Sequence, residues 1–366
     1  MTLMAQLSYD LLLRGGHVID PSRDLSAIRD VAIARNQIAR VAPDIPVAQA
    51  RQVIDVRGFY VTPGLIDLHV HVYTRARQST LLPDDTCLPT GVTTAVDAGT
   101  SGPRTFDDFK ATIIDRSKTR VLAFLSIVGQ GMRDGAAGES NEKDMDPAAV
   151  AAKIRQYPNL IVGVKTAHYR NPGFIALRRA VEAGRLANVP VLVDNSILTG
   201  EGRTTREKLL DLLRPGDLHT HMYNDGQLEL VDRRNGRLTE VAQEARRRGV
   251  LFDMGHGGGG FLWPVAGSAM RQGFPPDTIS TDLHPTSIQL PQVSMPNCIS
   301  KLLTLGMTLE DALRRATLHP AKAIHRYPEL GTLEEGRTAD VAVFELQTGN
   351  FAFIDRKSTR LNSSHS

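Results

Sequence analysis

The stretch YVTPGLIDLHVH, residues 60–71, joins a short apolar run to two histidines that lie two positions apart. Because side chains alternate across a β-strand, His69 and His71 are predicted to point the same way. Two neutral imidazoles from one strand supply half of a tetrahedral zinc site. An HxH pair alone is as often structural as ligating. Its place at the end of a first buried strand favours a ligand role.

Seven further short apolar segments follow, and helical patterns separate most of them. The segments are GVTTAVDAG, RVLAFLSIV, LIVGVKT, VPVLVDN, DLHTHMY, VLFDMG and TISTDLH. The helical patterns cover residues 106–118, 147–156, 174–187, 205–213 and 239–248. Such strands are typical of a parallel sheet buried on both faces. Eight β/α units predict an α/β fold of the (β/α)8 TIM-barrel type. A doubly wound open sheet would carry a glycine fingerprint after its first strand, and none is present.

The sequence divides into four parts. Residues 1–60 carry period-2 apolar runs, which predict the N-terminal part of a small antiparallel sheet. Residues 61–324 form the predicted barrel. Strand-like sequence returns in ADVAVFEL, so residues 325–354 are predicted to complete a composite β-sheet domain built from both chain ends.

The last part, residues 355–366, reads DRKSTRLNSSHS and has no apolar periodicity. We predict a disordered tail. The run resembles the translation of a sequencing-library adapter, which indicates a non-native end and a truncated sheet domain. The truncation would leave an unprotected strand edge near residues 341–344.

Composition excludes several classes of protein. The 366 residues are 41% hydrophobic, and the net charge of +3 comes mostly from residues 355–366, which hold three basic residues and one acidic residue. No basic patch interleaved with aromatic residues indicates a nucleic-acid partner. Two distant cysteines exclude a disulfide framework, and no apolar run is long enough for a membrane span. These features predict a soluble, cytoplasmic protein that acts on a small molecule. A homo-oligomer is compatible with the sequence.

Catalytic groups of a barrel lie at the C-terminal ends of its strands. Besides the histidine pair, those positions hold Lys165, Asp194, His221 and Asp282. Burial lowers the pKa of a lysine, and its free amine can take up carbon dioxide to form a carbamate that bridges two cations. The alternative for Lys165 is a lysine that reaches the rim or pairs with a substrate carboxylate.

The other strand-end residues have two interpretations each. A carboxylate such as Asp282 can take the proton of a metal-bound water, or it can cap the following segment. His221 can ligate a metal or serve as a hydrogen-bonded core residue. Asp194 can ligate a metal or support a residue that does so. Their joint placement with HxH upstream favours the metal site.

Taken together, PGLIDLHVH, the strand-end lysine, THMYN and STDLH resemble the amidohydrolase superfamily over residues 9–354. Within it, the chain is most similar to the dihydroorotase-like group whose members deacetylate hydroxy acids. The resemblance implies that His69, His71 and Asp282 hold one divalent metal. Carbamylated Lys165 would bridge to a second metal that His221 binds in part. The two ions would be zinc, with manganese as the alternative.

The chain departs from the resemblance at two positions. The fifth-strand ligand is commonly histidine, and here that position is Asp194. Dihydroorotases proper carry HxHxR, and here Tyr73 replaces the arginine, so dihydroorotase activity is not expected.

Four more side chains are candidates for substrate binding: Tyr73, His168, His256 and His284. His256 precedes four glycines that let the backbone approach a ligand, although a flexible loop explains the same pattern. His284 lies two positions after Asp282, and His168 follows Lys165 in a loop.

The sequence thus predicts a metal-dependent hydrolase that cleaves a small amide or ester, such as an acylated amino or hydroxy acid. The mechanism would use a metal-bound hydroxide, with Asp282 taking the proton and returning it to the leaving group. The alternatives are a cyclic-amide hydrolase of the hydantoinase or dihydroorotase type, a D-aminoacylase, and a non-catalytic scaffold.

Overall fold

A computed structural model describes residues 8–76, 81–194, 206–224, 230–232, 234–289, 293–355, 357 and 360–365. Residues 1–7, position 205 of a predicted helix, and positions 356, 358, 359 and 366 of the predicted tail lie outside the described residues. The strands within these ranges are β1 (Tyr9–Asp20), β2 (Leu25–Ala34), β3 (Gln37–Ala42), β4 (Ala50–Asp55), β5 (Tyr60–Pro63), β6 (Leu65–Val70), β7 (Val92–Ala98), β8 (Arg120–Ser126), β9 (Ile161–Thr166), β10 (Val191–Asp194), β11 (Leu218–Thr220), β12 (Leu251–Phe252), β13 (Val341–Phe344), β14 (Thr348–Ile354) and β15 (Arg360–His365).

The helices of the described ranges lie mostly between successive barrel strands. They are α1 (Pro83–Thr86), α2 (Phe106–Thr112), α3 (Gly135–Gly138), α4 (Pro147–Gln156), α5 (Ile175–Ala187), α6 (Arg206–Leu212), α7 (Glu240–Arg247), α8 (Trp263–Arg271), α9 (Pro285–Gln289), α10 (Met295–Thr304), α11 (Leu309–Ala316) and α12 (Leu318–Ala323). None of them is long and apolar enough to cross a membrane.

Seven of the eight predicted barrel strands form one parallel sheet in chain order, from β6 to β12. The eighth segment, residues 278–283, is not a regular strand, and Asp282 within it has a left-handed backbone (φ 49°). It still bonds to both edges of the sheet. The Gly257 amide donates to the Thr281 carbonyl at 2.8 Å, and the His71 amide donates to the Leu283 carbonyl at 2.8 Å. This segment therefore connects the two edges of the sheet.

The strand residues alternate between two apolar layers. An inner cluster joins side chains from β6 to β11 and from α12 and the segment after it: Ile66, Leu68, Val96, Ala98, Leu122, Phe124, Val162, Leu192, Leu218, Ala321, Ala323, Ile324 and Leu330. Their strand neighbours, such as Ala95, Val121 and Val193, pack outward against α2, α4 and α5. Each strand is therefore buried on both faces, as its near-continuous apolar sequence predicts.

The N-terminal sheet differs from the antiparallel sheet that we predicted. Strands β1, β2 and β3 pair antiparallel, but β4 and β5 both lie parallel to β1. The apolar alternation places a residue on a face and carries no information on strand direction, which explains the error. Strand β13, which follows the barrel in the chain, pairs antiparallel with β5 and stands at one end of the strand order β13-β5-β1-β2-β3.

The two ends of the chain also meet through a buried carboxylate. Asp20 accepts hydrogen bonds from the Leu333 amide at 2.7 Å and from the Thr332 hydroxyl at 3.1 Å. These bonds fix the return of the chain from the barrel to the N-terminal sheet.

The prediction of a disordered tail is wrong for the described part of residues 355–366. Strand β15 pairs antiparallel with β14. Asp355 is buried and accepts a hydrogen bond from the Trp263 amide at 3.2 Å. The polar run has no apolar alternation that could predict this pairing, because backbone pairing requires no apolar residues.

Candidate metal centre

A polar cavity of about 460 Å³ opens at the carboxyl ends of the barrel strands. Ten residues line it, and most of them carry an imidazole, carboxylate or hydroxyl group: His69, His71, Thr100, His168, Asp194, His221, Asp282, His284, Pro285 and Thr286. The position agrees with the rule that barrel active sites lie at this face.

His69 and His71 enter the cavity because β6 is irregular. Between Asp67 and Val70 the strand holds one more residue than the facing part of β7. Ile66 and Leu68 point into the apolar interior, so a regular strand would turn His69 outward. The extra residue reverses the alternation and re-aims both histidines at the cavity.

In three cavity histidines, the Nδ1 atom lies within hydrogen-bonding distance of an oxygen atom. The distances are 3.1 Å from His69 to the Thr220 hydroxyl and 2.8 Å from His71 to the Thr100 hydroxyl. His221 Nδ1 lies 2.5 Å from the Gly255 carbonyl, which can only accept a hydrogen bond. A donated Nδ1 proton leaves the Nε2 lone pair of the ring available to a cation.

The Thr220 hydroxyl has its own orienting partner. It donates to the Asp253 carboxylate at 2.6 Å, so its oxygen is left to accept from the His69 ring. Asp253 also accepts from Thr278 and Ser280 at 2.6 Å each. Burial raises the pKa of Asp253, although these hydroxyl donors oppose the shift.

Asp282 lies between His69 and His71 in the cavity. Its Oδ1 atom is 3.4 Å from His69 Nε2 and 3.2 Å from His71 Nε2. Burial alone would raise the pKa of this carboxyl, but the surrounding imidazoles hold it well below its ordinary value. Gly257 leaves the necessary space, since a Cβ atom there would stand 2.1 Å from Asp282 Oδ2.

Lys165 is buried in β9, and its Nζ atom lies 3.1 Å from His69 Nε2. Burial lowers the pKa of this ammonium group, although Asp194 and Asp282 oppose the shift. The backbone of Gly99 makes room for the lysine stem: its φ is +83°, and a Cβ atom would stand 2.5 Å from Lys165 Cγ.

Asp194 lies between two imidazoles at the end of β10. Its Oδ2 atom is 3.5 Å from His221 Nε2 and 3.7 Å from His168 Nε2. Burial raises the pKa of Asp194, but His221, His168 and Lys165 together lower it well below its ordinary value. Burial lowers the pKa of His221, but Asp194 and Asp282 together raise it to about 9.

The donor atoms in the cavity fit a divalent cation. One atom each from His69, His221 and Asp282 lie within 4.8 Å of one another. Neutral imidazole nitrogens and carboxylate oxygens are the ligands that zinc accepts. Lone pairs and negative charges that converge at 3–4 Å repel each other unless a proton or a metal ion lies between them.

The structure brings together the six residues that we predicted as metal ligands, with His168 and His284 beside them. His284 Nε2 lies 3.8 Å from Asp282 Oδ2, near the rim. These placements assign no role by themselves, and the roles remain predictions.

Two predicted substrate-binding residues are not among the cavity-lining residues. The Tyr73 hydroxyl donates to Asp108 at 2.6 Å, and its ring packs on Phe109. His256 is buried, with its ring stacked on Phe261 and its Nε2 atom 2.6 Å from Lys301 Nζ. Burial lowers the pKa of His256 to about 3. Both residues follow barrel strands, but their side chains turn away to neighbours that the local sequence does not reveal.

Sequence reasoning missed Glu139, Thr100 and Thr220. Glu139 is buried and contacts His168 Nδ1 with both carboxylate oxygens, at 3.1 and 3.0 Å. It follows α3 in the polar stretch GAAGESNEKD, which has no motif that marks a site. Thr220 precedes His221 at a strand end, and this position is the one signal that could have found it.

Comparison with known proteins agrees with this geometry. The profile of the amidohydrolase family matches residues 265–362. A deacetylase of Agrobacterium fabrum is 31% identical over 325 residues, which cover 87% of this chain and 78% of the relative. Among solved structures, an adenine deaminase has a TM-score of 0.89 at 26% identity, over 98% of this chain and 96% of that one. A dihydroorotase has a TM-score of 0.84 at 26% identity, over 97% and 95% of the two chains.

These similarities confirm the predicted α/β fold of the TIM-barrel type and the predicted hydrolase class. Members of this family generally use divalent metal ions, which agrees with the buried His-His-Asp group of the cavity. The chain therefore belongs to the amidohydrolase family and is a hydrolytic enzyme.

Proposed function

We propose that this enzyme removes an acyl group, such as acetyl, from a small amide or ester in the cavity at the barrel mouth. One observation carries the proposal: imidazole Nε2 atoms and the Asp194 and Asp282 carboxylates converge on one cavity beside a buried lysine. The deacetylase relative of Agrobacterium fabrum supports the choice of an acyl substrate.

His69, His71 and Asp282 would hold one divalent ion, and His221 and Asp194 would contribute to a second. Zinc suits this nitrogen and oxygen donor set, and manganese is the alternative. Burial lowers the pKa of Lys165, which favours its neutral amine. That amine would add to carbon dioxide and release one proton, and the resulting carbamate would help to hold both ions.

The ions, when bound, lower the pKa of the attacking water and polarise the acyl carbonyl. Asp282 accepts the proton of this water as the water oxygen bonds to the acyl carbon. The bond from that carbon to the leaving nitrogen or oxygen then breaks, and Asp282 returns the proton to the leaving atom. His284, at the rim 3.8 Å from Asp282, contacts the substrate.

The architecture assigned to this function is a closed (β/α)8 barrel beside a composite β-sheet domain. The bonds of residues 278–283 to both sheet edges support closure, and the pairing of β13 with β5 supports the composite domain. The proposed domain boundaries remain 1–60, 61–324 and 325–354.

A cyclic-amide hydrolase is the second candidate, because of the likeness to a dihydroorotase structure at a TM-score of 0.84. Tyr73 argues against dihydroorotase activity, since it stands at the arginine position of the HxHxR pattern and its hydroxyl donates to Asp108.

The test is a substrate screen with zinc-loaded and with chelator-treated protein. N-acetyl and O-acetyl acids form one arm, and hydantoins, dihydropyrimidines and adenine form the other. We expect metal-dependent release of acetate. Hydrolysis confined to the cyclic compounds would replace the proposal with the second candidate. A protein that binds no divalent metal would overturn both.

A further inference from the structure

His168 shares the arrangement of the proposed metal-binding histidines, although it lies in a loop after β9. Its Nδ1 atom faces both oxygens of Glu139, and its Nε2 atom faces Asp194 in the cavity. An ionised carboxylate can only accept a hydrogen bond, so Nδ1 carries a proton, and in the neutral ring the Nε2 lone pair points at the cavity. This is the carboxylate–histidine arrangement that orients imidazole ligands in metal sites.

The backbone and burial show that this orientation is built into the fold. His168 has a φ of 50°, which is an uncommon conformation for a residue other than glycine. Glu139 is only 3% exposed, although a buried carboxylate is costly without a partner. The His168 ring supplies that partner, with its Nδ1 atom 3.0 Å from Glu139 Oε2.

The distances suit a shared ion. Two ligands of one tetrahedral zinc ion lie roughly 3.3 Å apart when each bond is about 2.0–2.1 Å long. Asp194 Oδ2 lies 3.7 Å from His168 Nε2 and 3.5 Å from His221 Nε2. Asp194 therefore stands between two imidazoles in the same way that Asp282 stands between His69 and His71.

His284 provides the contrast within the same cavity. The Ser287 amide points at its Nδ1 atom at 3.4 Å, so Nδ1 accepts and Nε2 carries the proton of a neutral ring. Its Nε2 lone pair is therefore not available to a cation. His284 is a cavity histidine without the ligand arrangement and serves as a matched control.

We propose that His168 is a ligand of the second metal ion, together with Asp194 and His221, and that Glu139 is its positioning residue. This inference rests on the proposed function and adds a ligand from the loop after β9. The ligand class is a divalent cation that accepts imidazole, with zinc as the first choice.

The experiment compares zinc stoichiometry in wild type, His168→Ala, Glu139→Gln and His284→Asn. Each protein is stripped with a chelator, titrated with zinc, and analysed by elemental mass spectrometry after gel filtration. We expect two ions per chain in wild type and His284→Asn, and one in His168→Ala. Glu139→Gln should bind the second ion about 10–100-fold more weakly.

A cobalt titration supplies an independent readout. Cobalt bound by His168 should give visible absorption bands that change in His168→Ala and stay unchanged in His284→Asn. If His168→Ala does not fold, judged by circular dichroism, His168→Gln and Glu139→Gln decide the question.

The outcomes separate the inference from the proposed function. Two ions of unchanged affinity in folded His168→Ala would overturn the inference, as would a wild type that binds a single ion, and the proposed function would survive both. A wild type that binds no metal would overturn both claims.

Discussion

The two sides of the cavity are built in different ways. On the first side, His69 and His71 come from one strand and meet Asp282 at 3.2–3.4 Å. On the second side, His168 comes from a loop and meets Asp194 at 3.7 Å. Hydroxyl groups near the ends of barrel strands orient His69 and His71. The carboxylate of Glu139, directly after the short helix α3, orients His168.

The difference teaches which part of a metal site a motif can specify. Strand geometry places two side chains at fixed spacing, so a short motif predicts them together. A ligand from a loop depends on the path of the loop and on a distant partner, here Glu139, 29 positions away. The second side should accordingly be the more easily lost of the two.

Removal of the proposed proton acceptor should have the largest effect. Asp282→Asn keeps the shape of the side chain but cannot accept a proton, so kcat should fall by about 10²–10⁴-fold. Steady-state kinetics on the substrate found in the screen measures the loss. Activity within a few-fold of wild type would move the proton transfer to another residue.

Loss of Lys165 should damage both sides, because its carbamate would lie between the two ions. Lys165→Ala should lose activity and bound metal, and acetate or propionate should restore part of both by replacing the missing carboxylate. The same additives should not rescue Asp282→Asn. A fully active Lys165→Ala enzyme with normal metal content would assign the lysine a structural role.

Truncation of Asp194 should affect the second side alone. Asp194→Ala should lower the zinc content by about one ion per chain, while the ion beside His69 and His71 stays bound. Elemental analysis after gel filtration measures the change. Unchanged stoichiometry with weaker binding would show that Asp194 orients a metal ligand and does not itself bind the metal.

The smallest effect should come from the hydroxyl behind His69. Thr220→Val removes the acceptor of the His69 ring and should weaken zinc binding on the first side about 10–100-fold. Thr278→Val is the matched control, since the Thr278 hydroxyl donates to the same Asp253 carboxylate and the hydroxyl that faces the His69 ring is that of Thr220. Equal affinities in the two variants would show that Thr220 does not orient the ring.

The sequence predicted the barrel class and brought six candidate ligands to the correct end of it. His69, His71 and Asp282 lie together there because strand ends of a barrel converge on one face, and their roles stay predictions. It failed to place Tyr73 and His256, whose partners Asp108 and Lys301 lie 35 and 45 positions away.

Two other features required tertiary information. The extra residue in β6 is visible only from its pairing with β7, and it decides where His69 points. The buried position of Asp355 depends on Trp263, 92 positions earlier, so a polar run at the chain end was read as disordered. Local patterns report periodicity and composition, and long-range partners are absent from both.

The most direct test of the two-sided site is anomalous diffraction at the zinc absorption edge from crystals grown with zinc. We expect two peaks in the cavity, one beside His69, His71 and Asp282 and one beside His168, Asp194 and His221. A single peak on the first side would contradict the assignment of a second ion. No peak in the cavity would contradict the metal centre as a whole.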